Sequence, residues 1–392
     1  MMIKTYKVML IPNNVQQTKM FQTAGCARFA YNWAIAYEMR NYESGGKFLS
    51  DVELRRIFTQ MKHQEEYDWL NSASTNATKQ AIKDACLAYK RFFQGNAKHP
   101  RFKSKRYTKP SFYIDTDKIE ISETLVKLEK IADSKRKNRA KVNWIRLAEH
   151  NRIPTNTKYS NPRVTFDGLH WWLSVGVDVP NSTDTPTNQG IGIDLGVKDL
   201  AICSDGNTYK NINKSKRVKR LAKKKRRLQR KVSKKYLKNK KGVRYVKTRN
   251  IIKSEKQLLC VSRKLTNIRH NYLHQVTSEI VNRKPKFIVL EDLNVSGMMK
   301  NRHLAKAVQE QGFYEFYRQI EYKSAWYNIE FITADRFYPS SKTCSCCGAI
   351  KRDLTLKDRV FICYECGFTL DRDLQAAINL AKYGEKQINN VA

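Results

Sequence analysis

The chain has 392 residues, 41% of them hydrophobic, enough for two or three domains with cores of their own. A formal net charge of +39 opposes compaction unless a polyanion neutralises it, which points to nucleic acid and away from a merely solubilising surface. No apolar run approaches the roughly 20 residues of a membrane span, and the opening MMIKTYKVML lacks a signal-peptide pattern, so no membrane partner is expected.

Residues 3–11 (IKTYKVMLI) read as a first strand. Residues 14–95 turn helical: Phe21, Ala24, Ala27, Tyr31, Ala34 and Ile35 fall at helical spacing, and a second helix follows from about Asp51. Ser74 to Phe93 predicts a third, capped by Ser74 or Asn76, with Ala81, Ala85, Leu87, Tyr89 and Phe92 apolar. From Lys98 the texture becomes basic, aromatic and Pro-punctuated. SFYIDTDKIEIS, LVKLEKI, VNWIRL, RVTFDG and LHWWLSVGVDV then read as short strands of a small barrel or sandwich. Residues 100–180 and the first strand would form one β domain with the helices inserted in it. Arg101, Lys103, Lys105 and Arg106, interleaved with Phe102, Tyr107, Phe112 and Tyr113, can pair phosphates and stack bases. Core aromatics beneath a solvated basic face would look the same.

Asn181 to Asn188 is a linker by composition. After it, GIGIDLGVKDL (190–200) has the alternation of a half-buried strand around one acid, Asp194. A carboxylate on a core strand is costly without a partner or a metal. The chain returns through LAICSDGNTYK, where Asp205-Gly206 signals a turn. Residues 211–250 are half Lys or Arg and contain no Asp or Glu. A thin stripe of Val218, Leu221, Leu228, Val232 and Tyr236 predicts a helix packed on one side. A second helix runs from about Lys253 to Val281, with the turn at Lys240-Lys241-Gly242. The pair reads as a phosphate-tracking hairpin carrying Lys223, Lys224, Lys225, Arg226 and Arg227, the alternative being a solvated face.

KFIVLE is a β-rich run ending in Glu291, Asn294 to Met299 a loop, Ala305 to Trp326 one amphipathic helix and NIEFIT a strand. DRDLQAAINLA opens a last helix with Asp371 and Asp373. Three separated segments therefore carry carboxylates: Asp194, Glu291, and Asp371 or Asp373. Such a set suits a pair of Mg2+ ions, which take oxygen ligands and can serve both the attacking and the leaving oxygen of a phosphodiester.

Five of the nine cysteines lie between Cys344 and Cys366. Cys344-x2-Cys347 and Cys363-x2-Cys366, fifteen residues apart, fit a structural four-thiolate Zn2+ site, and Gly348 and Gly367 follow each pair where the turn around the metal needs a flexible backbone. Cys346 is a bystander, and Cys26, Cys86, Cys203 and Cys260 are ordinary thiols of a reducing cytosol. The ribbon lies between Glu291 and the last helix, an insertion rather than a tail.

GIDLGVKDLA, VLEDLNVSGM, YPSSKTCSCCG, CYECG and DRDLQAAINLA, in that order, resemble the TnpB (OrfB) proteins of insertion-sequence transposons, to which compact type V CRISPR effectors are similar. The resemblance covers nearly the whole chain and is most specific in its C-terminal half. It implies a multidomain α/β protein: an RNase H-like (RuvC) nuclease (183–336, with the basic hairpin 211–283, and 370–392), an inserted zinc ribbon (337–369), a wedge β-barrel (1–12 and 97–182) and an inserted helical recognition domain (13–96). It also implies an RNA-guided DNA endonuclease of the prokaryotic cytoplasm, nucleoid-associated and monomeric with its RNA. A transposon-derived noncoding RNA would guide it to double-stranded DNA beside a short flanking motif, with two Mg2+ and one Zn2+ bound. By motif position the catalytic acids are Asp194, Glu291 and Asp373, with Gln375 standing where the family usually has Asn. Rival readings are an RNA-guided repressor that has lost an acid, although all three positions are filled here, an RNA-independent resolvase-like nuclease, and a non-enzymatic zinc-ribbon binder.

Overall fold

The computed structural model describes residues 2–131, 142–180, 185–187, 189–355 and 358–389. Two compact units divide the chain at 180/181, so the linker expected over 181–188 lies at the division and largely outside the described residues.

In the first unit, β1 (Met2–Ile11) is the centre of a seven-stranded antiparallel sheet. It pairs with β7 (Trp171–Val179) on one side and β5 (Trp144–Leu147) on the other. The order is β2-β6-β7-β1-β5-β4-β3, with β2 Ser111–Tyr113, β3 Glu120–Ile121, β4 Leu125–Lys127 and β6 Tyr159–Phe166. Among the described residues no pairing joins the end strands β2 and β3. The strand expected over 111–122 is two strands, because the Asp115 carbonyl accepts the N–H groups of Lys118 and Ile119 and turns the chain between them.

Between β1 and β2 run α1 (Asn14–Glu43), α2 (Asp51–Met61) and α3 (Thr75–Phe93). Asn13 with Gln16, and Ser50 with Glu53, close capping boxes on the first two, and Ser74 caps the third. Met20, Ile35 and Ile82 of the helices share one apolar core with Val8, Val164 and Leu173 of the sheet. The inserted helices and the sheet thus share one apolar core. Leu87, placed on the apolar face by spacing, is 40% exposed: it lies off the stripe that Ala81, Ala85 and Tyr89 turn inward.

The second unit is built on a five-stranded sheet of order β10-β9-β8-β13-β14. β8 (Ile191–Leu195), β9 (Asp199–Cys203) and β10 (Thr208–Lys210) form an antiparallel meander, whereas β13 (Phe287–Glu291) and β14 (Glu330–Ala334) run parallel to β8. Both faces are covered, so β13 is apolar on both sides. Ile288 and Leu290 meet helices on one face; Phe287 and Val289 meet the final helix on the other. The crossover from β10 to β13 is the basic hairpin: α4 (Lys216–Lys238), a two-residue ribbon of β11 (Lys240–Lys241) and β12 (Arg244–Tyr245), and α5 (Arg249–Asn282). Of α4 only Val218 is buried. The helix expected over 305–326 is broken into α6 (Ala305–Gln311) and α7 (Phe313–Trp326) at Gly312, whose φ of 73° leaves the helical region.

The last helix, α8 (Arg372–Asn389), crosses β8 at Gly192. A Cβ there would lie 2.1 Å from the Ala377 carbonyl oxygen and 2.3 Å from the Ala381 nitrogen, so only glycine admits the helix this close.

Candidate active site

That close crossing positions the acids. Leu290 pairs with Ile193 in the parallel register, so Asp194 and Glu291 each stand one residue further on, at the carboxyl ends of adjacent strands, where open α/β sheets bind ligands. Asp194 lies two residues past Gly192 and therefore on the face covered by α8. Asp373 lies one turn before Ala377, in the first turn of that helix. All three acids line one cleft of about 410 Å³, together with Lys198, Ser340, Lys342, Arg359 and Arg372. Burial and then the neighbouring Glu291 and Asp373 carboxylates push the Asp194 pKa up to about 8, against a partial opposing pull from Arg372.

Each carboxylate is held differently. Glu291 accepts a short hydrogen bond from Ser340 Oγ. Asp373 accepts from Arg372 Nε at 3.2 Å and Nη2 at 2.9 Å, with Arg359 Nη1 at 3.7 Å. Asp371 is spent otherwise: its Oδ1 accepts the N–H groups of Asp373 and Leu374 at 3.0 and 3.1 Å and caps α8. Of the two acids that residue type left open, Asp373 lines the cleft and Asp371 does not. Oxygen donors of this kind suit a hard divalent cation, and the charge crowding on Asp194 is what such a cation would relieve.

The four cysteines meet as their spacing predicts. Sγ of Cys344 lies 3.7 Å from Cys366 and Sγ of Cys347 3.5 Å from Cys363, with all four within 4.8 Å of one another. A tetrahedron with Zn–S of ~2.3 Å has edges of ~3.8 Å, whereas a disulfide needs ~2.05 Å. The set fits zinc, and Cys346 is outside it and exposed. Gly348 and Gly367 have φ of 80° and 68° in the two turns. The knuckle is riveted to α8: Gln375 Nε2 donates to the Thr343 carbonyl at 2.6 Å and its Oε1 accepts from Ser345 Oγ at 2.9 Å, while Asn379 Nδ2 donates to the Ser340 and Thr343 carbonyls. The extra methylene of Gln375 is therefore absorbed by two satisfied hydrogen bonds. Ser340 and these rivets were missed by sequence reasoning; only the run SSK beside the first cysteine hinted at them.

Of the basic residues singled out on the hairpin, Lys223, Lys224, Arg226 and Arg227 are exposed and Lys225 is half-buried. The same face continues as a shallow groove lined only by Arg227, Arg230, Lys231, Lys234, Lys235 and Lys238. In the first unit Arg101, Lys105 and Arg106 are exposed beside Phe102 and Tyr107. Lys103 is a correction: its Nζ sits 3.5 Å over the Tyr31 ring, where burial lowers its pKa, and Asn32 clamps its backbone. Phe112 is a second correction, buried against Trp171 and closed to any base.

Three family profiles match the chain: one described as "Probable transposase" over residues 173–302, a Cas12f1-like TNB domain over 313–380 and a helix-turn-helix domain over 1–47. The last falls on β1 and the uninterrupted α1. A candidate RNA-guided DNA endonuclease of Streptomyces pristinaespiralis is 28% identical over 97% of this chain and 89% of that protein. The candidate RNA-guided DNA endonuclease InsQ of Escherichia coli strain K12 is 28% identical over 97% of this chain and 92% of its own length. Among solved structures, Cas12f1 in its complex with guide RNA and target DNA superposes with a TM-score of 0.62 at 16% identity, over 93% of this chain and 82% of that one. That likeness is one of fold.

Proposed function

The chain belongs to the TnpB (OrfB) family, and on that premise we propose that it is an RNA-guided DNA endonuclease. The observation that carries the reading is the convergence of Asp194, Glu291 and Asp373, from two strands and a helix far apart in sequence, on one cleft. The second unit is then an RNase H-like (RuvC) nuclease, and the first the wedge and recognition region. Asp194, Glu291 and Asp373 would hold Mg2+, which supplies positive charge for the attacking and leaving oxygens of phosphodiester hydrolysis. Ser340 fixes the Glu291 carboxylate. Lys198, Lys342 and Arg359 face the same cleft and can hold a phosphate. The four-cysteine site binds Zn2+ and stays closed to substrate, bracing α8 through Gln375 and Asn379.

A transposon-derived noncoding RNA supplies the sequence reading, and the protein grips backbone shape, which accounts for +39 charges without a sequence-reading helix. A short motif beside the target and a monomeric protein–RNA complex complete the reading. The test is to isolate the protein with its RNA, sequence that RNA, and offer double-stranded DNA matching its variable end. Guided, Mg2+-dependent cutting is expected. A protein free of RNA that cuts branched DNA unaided would make it a resolvase instead, and one that binds its guided target without cutting would make it a repressor.

A further inference from the structure

The first unit holds a second cavity, of roughly 390 Å³, that nothing above uses; binding pockets for small organic groups run from about 300 to 1,000 Å³. Its walls are aromatic. Phe48 and Phe93 stand at 82° with ring centres 5.5 Å apart, and Tyr89 stacks on Phe93 at 6.0 Å. Phe93 is 62% exposed and Tyr42, at the rim, 81%. Folding alone leaves such surfaces uncovered without benefit, and flat aromatic faces are what unpaired bases stack on.

The cavity is also lined by Glu38, which is only 4% exposed. Its Oε1 accepts from the Leu49 N–H at 3.2 Å, and among the described residues nothing donates to Oε2. Burial pushes the Glu38 pKa up. A carboxylate in the lining with one oxygen free of donors favours a ligand that brings N–H groups. A second carboxylate, the exposed Glu43, also lines the cavity, and the exposed Arg40, Lys47, Lys90, Arg91 and Lys98 each adjoin a lining residue in sequence.

Aromatic walls, carboxylates in the lining and cations on the residues next in sequence favour a ligand with a flat ring, adjacent donors and a phosphate tail. We propose that this cavity captures a single unpaired guanine of a bound nucleic acid, its ring among Phe48, Tyr89 and Phe93 and its donor edge on Glu38. Guanine is the base whose Watson–Crick edge carries two neighbouring N–H donors. Adenine, cytosine and uracil each place an acceptor beside their donor, which a carboxylate repels. The nucleic-acid partner rests on the function proposed above; the base preference rests on the cavity.

The test is fluorescence anisotropy on the full-length protein with labelled RNA trimers, a guanosine, inosine or adenosine flanked by uridines, in salt high enough to suppress backbone binding. The guanosine trimer is expected to bind about tenfold tighter than the adenosine trimer, the worth of a bidentate, charge-assisted interaction, with inosine between them. Glu38→Gln keeps the size and the bond to Leu49 and should erase the preference. Tyr42→Ala and Phe93→Ala, both at exposed positions, should weaken all three trimers, with circular dichroism showing that each variant is folded. Equal binding of guanosine and adenosine, or a preference that survives Glu38→Gln, overturns the proposal while leaving RNA guidance standing. Failure of every trimer to bind also overturns the proposal, whereas the guided reading fails only if the isolated protein carries no RNA.

Discussion

At the scale of single residues, the acids of the cleft are separable by what holds them. Asp194 has no ion pair among the described residues, and its proton affinity is raised by burial and two neighbouring carboxylates, so its charge matters to a cation more than to the fold. Asp194→Ala should abolish cleavage and leave RNA binding intact, as read by guided cutting beside a gel-shift titration; loss of RNA binding would make the acid structural. Ser340 acts through its hydrogen bond to Glu291, so it is a positioning residue. Ser340→Ala should cost about 10- to 100-fold in rate, the usual effect of losing a partner that orients a metal-binding group. Zinc content should stay unchanged, and full activity in the variant would show that Glu291 needs no such anchor. Glu315 carries a pH effect of known sign. Hydrogen bonds from Arg318 and Gln319 hold its pKa down to about 2. The depressed value means that its stabilisation is present above the ordinary 4.5 and is lost as pH falls towards 2. Glu315→Gln should flatten the acid limb of a melting-temperature profile, and an unchanged limb would mean that the pair contributes nothing.

At the scale of elements, everything at the site depends on α8 lying against β8. Gly192→Ala places a methyl group into the helix backbone, where neither side can give. Overpacking of this kind should cost about 2–3 kcal/mol and displace Asp373, so chemical denaturation and cleavage should both suffer; near-normal values in both would mean that helix and strand are further apart than stated. The four-cysteine knuckle braces the same helix from its other side through Gln375 and Asn379. Cys363→Ser should therefore release zinc and lower the stability of the second unit, checked by metal analysis and calorimetry. A variant that keeps both zinc and stability would refute the four-thiolate assignment.

At the scale of the whole molecule, charge decides. Lys and Arg outnumber Asp and Glu by 75 to 36, and the longest run without acids contains α4, a helix rich in cations of which only Val218 is buried. Replacing Arg227, Arg230, Lys231 and Lys234 with Gln should reduce the slope of log affinity against log salt by about 0.7–0.9 for each phosphate left unneutralised. An unchanged slope would mean that this face does not meet nucleic acid.

Much of this was legible in residue order, and the limits are physical. Periodicity, caps and turn signals are local, so the helices of the first unit, the strands around Asp194 and Glu291, and the hairpin of 211–283 could be placed from neighbours a few positions away. The CxxC pairs were as clear, because thiolate spacing is itself the geometry of the metal. What needed the fold were choices between chemically equal residues: Asp373 lines the cleft while Asp371 caps, and Lys103 turns in while Arg101 stays out. Gly312 breaks one expected helix into two, and Ser340 reaches Glu291 across 49 positions. Composition and local pattern determined the segments, their charge and their donor atoms. Which of those atoms meet was decided by tertiary packing alone, since distance in space is set by how α8 seats on Gly192 and not by distance along the chain.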